Sequence, residues 1–188
     1  MRDFFLKLIK YINMVWHKIY SFREHWIMQC DYSDKNIKTQ NQLYIKSIKS
    51  IDELIDGTYS INLQKKVWMH NKDFCRTYIL KETESQNTVG IASIMFKGGN
   101  ELEYKIRNVE AFIFNVYIKP EYRGKGYAQV LLSHIQAELH HESIDSVYLA
   151  VSKDNESAIS AYKKINFKVV GTKKFIRILR HNVPYYSI

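Results

Sequence analysis

Apolar residues repeat with two different periods along this chain. In the first part, Phe4, Phe5, Leu8, Ile9, Ile12, Val15, Trp16 and Ile19 fall at helical spacing, and Arg2, Lys7, Lys10 and Lys18 break any continuous apolar run. The pattern predicts a basic amphipathic helix. It is not a transmembrane span, which needs roughly 20 mostly apolar residues. It also lacks the uninterrupted apolar core and small-residue cleavage site of a signal peptide. The polar run QCDYSDKNIKTQNQ (29–42) reads as a connector, so residues 1–42 are expected to form an N-terminal extension.

From residue 43 onward, short apolar runs with strand character dominate. LYIKSIK (43–49), RTYILKE (76–82), VGIASIMF (89–96), VEAFIFNVYI (109–118), SVYLAV (146–151), FKVVGT (167–172) and FIRILR (175–180) predict strands. The segment Glu84-Ser-Gln-Asn87 can turn, making a hairpin of the second and third, and Pro120 closes the fourth. Helices are predicted over 50–57, capped by Ser50 and Glu53 and stopped by Gly57, over 126–141 with Val130, Leu131, Ile135 and Leu139 inward, and over 156–165. Residues 58–75 read as helix and loop around Trp68, and 97–108 as a loop containing Gly98 and Gly99. The expected fold is α/β (α+β): one domain over 43–188 with a mixed, mostly antiparallel sheet of six to seven strands flanked by helices.

Composition narrows the setting. The 188 residues are 46% hydrophobic and 25% charged, which suits one folded domain with a real core. A formal charge of +9 favours anionic partners without choosing among phosphates, nucleic acid and an acidic membrane surface. No basic recognition helix or aromatic-basic repeat supports nucleic acid. Cys30 and Cys75 make neither a disulfide framework nor a zinc site, and the seven histidines show no metal spacing, so no metal is expected and a cytoplasmic setting fits. His140 and His141 read as polar residues at a helix end. The apolar stripe of residues 4–19 needs a cover: an anionic membrane surface, a second subunit of a homodimer, or its own domain.

The chemistry concentrates in PEYRGKGYAQVLL (120–132), where a basic, glycine-containing loop joins a strong strand to a helix. The helix N-terminus leaves backbone N–H groups unpaired and holds phosphate well. Gly124 and Gly126 let the backbone approach an anion, and Arg123 and Lys125 add positive charge. A diphosphate-sized anion site follows. It is not a P-loop, since no GxxxxGK[ST] occurs. Nor does it match the dinucleotide fingerprint, because Gln129 stands where the third glycine belongs.

Arg123-x-x-Gly126-x-Ala128 resembles the R/Q-x-x-G-x-G/A signature of the Gcn5-related N-acetyltransferase (GNAT) family, and LAVSKDNESAISAYKKINFKVVG (149–171) resembles that family's second conserved region through Asn155, Ala158, Tyr162 and Asn166-Phe167. The resemblance covers residues 43 to 180, and its specific part is 109 to 171. It implies a GNAT-like acyl-CoA N-acyltransferase fold and acetyl-CoA as cosubstrate. The diphosphate would lie on Arg123, Gly124, Lys125, Gly126, Tyr127 and Ala128, and the pantetheine arm beside Val116, Tyr117 and Ile118. Tyr162 would be the general acid for the leaving sulfur, set against the reading that it only packs on its helix. Asn155 would either bond the cofactor arm or cap the following helix. At the strand position where some members carry a basic carboxylate this chain has Phe112; Glu110, two residues earlier on the same face, is the candidate base, or else a solvent-facing strand end. The acceptor implied is a primary amine of a small molecule, an amino sugar or amino acid. A peptide or protein amine and a non-catalytic CoA-binding regulator are the alternatives. Tyr59, Trp68, Phe112, Tyr185 and Tyr186 are aromatic candidates for stacking on the acceptor, or ordinary packing residues.

Overall fold

The computed structural model describes residues 20–31, 42–48, 73–99, 105–178 and 181–185. These form one mixed sheet of eight strands: β1 (Tyr20–Asp31), β2 (Leu43–Ile48), β3 (Cys75–Glu82), β4 (Thr88–Met95), β5 (Glu110–Ile118), β6 (Ser146–Ser152), β7 (Lys168–Ile178) and β8 (His181–Tyr185). The order across the sheet is β2-β3-β4-β5-β6-β1-β7-β8. Only β5 and β6 run parallel; every other neighbouring pair is antiparallel. Two helices are described, α1 (Tyr127–His141) after β5 and α2 (Glu156–Lys164) after β6.

The mixed, mostly antiparallel sheet agrees with the sequence pattern, and three features differ from it. First, the span 1–42 is not wholly an extension. Its residues 20–31 form β1, which lies inside the sheet between β6 and β7 and pairs with both. Met28 and Cys30 are buried on the helix side and Ile27 on the other, the alternation expected of an interior strand. Second, the predicted strands 167–172 and 175–180 are one strand, β7, because β1 supplies a long partner that carries the ladder through Lys173 and Lys174. Third, β8 adds an outer strand whose Pro184 is compatible with a sheet edge. The helices predicted over 4–19 and 50–57, together with Tyr59 and Trp68, lie outside the described residues. No described helix is long and apolar enough to cross a membrane.

The main core fills the space between the sheet and the two helices. From α1, Leu131, Leu132, Ile135 and Leu139 are fully buried and Val130 nearly so, set at helical spacing against Leu80, Ile94 and Ile113 of the sheet. Asn166, at φ 68, and the bonds from the Ile165 and Phe167 N–H groups to the Tyr162 carbonyl turn the chain out of α2 and into β7. The lower half of α1 is pinned to β3. Arg76 donates to Glu138 at 3.0 Å and Glu142 at 2.6 Å, while the Tyr78 hydroxyl donates to Glu138 at 2.7 Å. That clamp fixes the far end of the helix whose N-terminus faces the site. His140 and His141 are its last two residues, the helix end predicted for them.

Candidate active site

The site begins where two strands part. β5 and β6 pair from Glu110–Ser146 to Ile113–Leu149 and then diverge. Beyond that point β6 stays attached to β1, with Ala150, Val151 and Ser152 opposite Ile27, Trp26 and His25. On its other side β5 keeps β4 as far as the Ile118–Gly90 pair. A register shift in that ladder and a φ of 52 at Asn115 bend β5 just where it leaves β6. From Phe114 to Ile118 the β6-facing edge of β5 has no strand partner.

Beyond β5, a single 3-10 turn over Pro120–Tyr122 leads into the loop. Gly124 and Gly126 adopt φ of 78 and 79, the left-handed region that side chains disfavour. Space is not the constraint at Gly124, where an added Cβ would meet nothing within 4 Å. The Arg123 N–H bonds the Pro120 carbonyl, and the Gln129 N–H bonds the Gly126 carbonyl. Among the described residues, the N–H groups between them, those of Gly124, Lys125, Gly126, Tyr127 and Ala128, have no protein acceptor. Five consecutive donors at a helix N-terminus are a strong anion-binding arrangement.

A cleft of about 920 Å³ opens between β5, α1 and α2. Val116, Tyr117 and Ile118 form one wall, the loop 123–128 the rim, and Asn155 and Tyr162 the opposite wall. The residues that the sequence assigns to the cofactor therefore converge on one cavity, with the proposed acid among them. Arg123, Lys125 and Lys164 line the cleft and no Asp or Glu does. The Arg123 Nε donates to the Ile118 carbonyl at 3.0 Å, and its guanidinium lies 5.6 Å from the centre of the Tyr117 ring. Lys125 lies 5.7 Å from the Tyr122 ring centre. These contacts hold both cations beside the row of free amides.

Tyr162 is 7% exposed and packs against Phe167, ring centres 6.1 Å apart. Burial pushes its hydroxyl up to about 12, so the phenol stays protonated at neutral pH. Among the described residues no hydrogen bond acts on that hydroxyl, burial alone shifting it, and Tyr162 lines the cleft. Asn155 takes the cap position at the start of α2: its Oδ1 accepts from the Ala158 N–H at 3.2 Å and from the Ser157 hydroxyl at 3.1 Å. Both the capping role and a place in the cleft wall belong to this one side chain.

Glu110 is not in this assembly. It opens β5, six residues before Val116, which at about 3.3 Å per strand residue is roughly 20 Å along the strand. Its two oxygens accept from the Arg107 backbone N–H and guanidinium, each at 2.9 Å. The sequence pairs Glu110 with the reaction because it lies on the same strand, but the strand carries it away from the divergence. Phe112 is also removed from any stacking role, being fully buried against Met95, Ile106 and Tyr148.

The cleft also takes in Tyr122, Gln129, Ser157, Ser160 and Lys164, which the sequence does not single out. A signal exists for the last three: they stand on α2 at spacings of three and four residues, which puts them on one side of the helix.

Comparison with known proteins adds the family. A model described as the acetyltransferase (GNAT) family matches residues 45–167. The chain is 33% identical over 58 residues to the [ribosomal protein bS18]-alanine N-acetyltransferase of Escherichia coli, a match covering 31% of this chain and 39% of that protein. The same-named Haemophilus influenzae protein is 35% identical over 65 residues, 35% of this chain and 44% of that one. The chain thus spans less than half the length of these curated relatives. Among solved structures, a GCN5-related N-acetyltransferase from Sphaerobacter thermophilus superposes with a TM-score of 0.63 at 12% identity, covering 92% of this chain and 57% of that one. A spermidine N-acetyltransferase SpeG chimera from Vibrio cholerae and hSSAT gives 0.53 at 19% identity, covering 70% and 83%. At these identities the structures speak to the fold.

Proposed function

Since the chain belongs to the acetyltransferase (GNAT) family, we propose that its cleft binds acetyl-CoA and that the protein transfers the acetyl group to a primary amine of a small molecule, an amino sugar or an amino acid. The observation that carries this reading is the row of five partnerless amides at the mouth of a cleft that Tyr162 also lines. The residues fit the cofactor's chemistry. The amides of 124–128 would hold its diphosphate, with Arg123 and Lys125 neutralising charge. The unpaired edge of β5 near Val116, Tyr117 and Ile118 would pair with the amides of the pantetheine arm as a missing strand does. When bound, the thioester supplies an activated acetyl carbonyl and a sulfur leaving group.

Tyr162 would give the proton that sulfur needs, a role suited to a phenol held protonated by burial. Asn155 Nδ2 is available to the cofactor while Oδ1 caps α2. Glu110 is left out of the machinery. With no carboxylate in the cleft lining, the acceptor would arrive as neutral amine or lose its proton through water. A peptide α-amine is the second reading for the acceptor, favoured by the match to an enzyme named for a ribosomal protein alanine.

The test is thermal stabilisation by acetyl-CoA, then thiol release against a panel of small amines and N-terminal peptides. At 100 times its dissociation constant the cofactor should add about 2.7 kcal/mol. Absence of any stabilisation would end the proposal. Binding without turnover on every amine would reduce the protein to a CoA-binding regulator.

A further inference from the structure

The assignments above leave one side of the cleft without a role. Ser157, Ser160 and Lys164 lie on one side of α2 and all line the cavity. Gln129, from the first turn of α1, lines it too. The three cations of the cleft are not equivalent. Arg123 is committed to the Ile118 carbonyl and Lys125 lies over Tyr122, both in the loop that carries the free amides. Lys164 stands on the other helix, and among the described residues it makes no ion pair. It also borders a second groove of about 610 Å³, lined as well by Trp26, Glu156, Lys163 and Lys153, the last of these paired with Glu24.

Coenzyme A carries two separate anionic groups, the diphosphate and a phosphate on the ribose 3′-oxygen. The five loop amides can serve only the first. We infer that the Ser157–Ser160–Lys164 side of α2 receives the nucleotide end of the cofactor and that Lys164 pairs with its 3′-phosphate. This rests on the acetyl-CoA reading of the cleft. The Ser160 hydroxyl supplies a short donor to the ribose and phosphate oxygens, the Ser157 hydroxyl, whose proton goes to Asn155 Oδ1, can accept from a ribose hydroxyl, and the lysine supplies a point charge on a flexible stem, suited to a terminal phosphate. Lys164 then makes the site discriminate coenzyme A from its 3′-dephospho form.

The experiment is titration calorimetry of the full chain with CoA and with 3′-dephospho-CoA at low salt, where an exposed pair is least screened. Wild type should prefer CoA by about tenfold or more. Lys164→Gln should bring the two ligands to within about twofold of each other while leaving affinity for 3′-dephospho-CoA unchanged, and that unchanged affinity shows the variant is folded. Lys163→Gln removes the same charge from the neighbouring residue, which borders only the second groove, and should keep the preference. A Lys164→Gln protein that retains the wild-type preference overturns the inference. So does one that loses both ligands equally, or a Lys163→Gln protein that loses the preference as fully. Wild type that binds neither ligand overturns the acetyl-CoA reading itself, a result distinct from binding both with equal strength, which overturns only the role of Lys164.

Discussion

Replacing Tyr162 by Phe should separate catalysis from stability. The change removes one oxygen and leaves the ring packed on Phe167. No hydrogen bond acts on the hydroxyl among the described residues, so no protein hydrogen bond is lost. Burying a polar group without a full partner costs about 1–3 kcal/mol. Tyr162 lines an open cleft, which discounts the figure to about 1 kcal/mol or less. Tyr162→Phe is therefore expected to melt at the wild-type temperature or slightly above it. Activity should move the other way, because a positioned general acid contributes about 10²–10⁴ in rate, or roughly 3–5 kcal/mol of barrier. The assay is single-turnover thiol release with cofactor in excess, so that product release does not mask the chemical step. With the hydroxyl pushed up to about 12, the wild-type rate should show no falling limb from loss of the acid anywhere between pH 7 and 10. A variant that keeps more than about a third of the single-turnover rate refutes the assigned acid. One that is slower only because it unfolds refutes the packing argument.

Asn155→Ala should cost about 1 kcal/mol by uncapping α2, whereas Asn155→Asp keeps the cap oxygen and should melt near wild type by calorimetry. Burial raises the Tyr162 hydroxyl to about 12 and also raises that of Tyr78, so the fold favours both protonated phenols. Their contribution is complete below about pH 10 and is lost as pH rises through the folded values, about 3 kcal/mol for Tyr162 alone. Denaturant titrations at pH 9 and pH 11 should show the loss, and Tyr162→Phe should lessen it. Removing residues 1–31 deletes β1 from between β6 and β7 and should abolish cooperative melting; a truncated protein with a sharp transition would contradict the sheet order.

The loop and α2 were legible because their demands are local. Positive φ at positions 124 and 126 calls for glycine, and an anion calls for nearby cations, so residue type at short spacing is enough to locate the site. Long-range pairing is not written that way. Helical spacing over 4–19 runs directly into Tyr20, Phe22, Trp26, Met28 and Cys30, whose alternation marks a strand only once β6 and β7 are available to pair with it. Lys173 and Lys174 resemble a turn until β1 is placed beside them. Glu110 shows the limit in the other direction. It lies on β5 as the strand pattern predicts, but how far along β5 the sheet divides depends on the β4–β5 register shift, the bend at Asn115 and where β6 stops pairing, none of which the residues around Glu110 announce.

The cleft depends on the N-terminal strand for a physical reason. A strand that leaves one neighbour gives up a row of hydrogen bonds, and it stays extended only if its other edge is held. β5 diverges from β6 while β4 holds it. β6 diverges from β5 while β1 holds it, through His25, Trp26 and Ile27 opposite Ser152, Val151 and Ala150. The turn after β6 is tied to the same strand by the bond from the Lys153 N–H to the Glu24 carbonyl and by the Lys153–Glu24 ion pair. That turn leads directly to Asn155 and α2, so the wall carrying Tyr162 is positioned from β1 as much as from the core beneath it. A binding gap between parallel strands therefore requires a third strand to fix its far side, and here residues 20–31, which sequence periodicity alone leaves outside the domain, provide it.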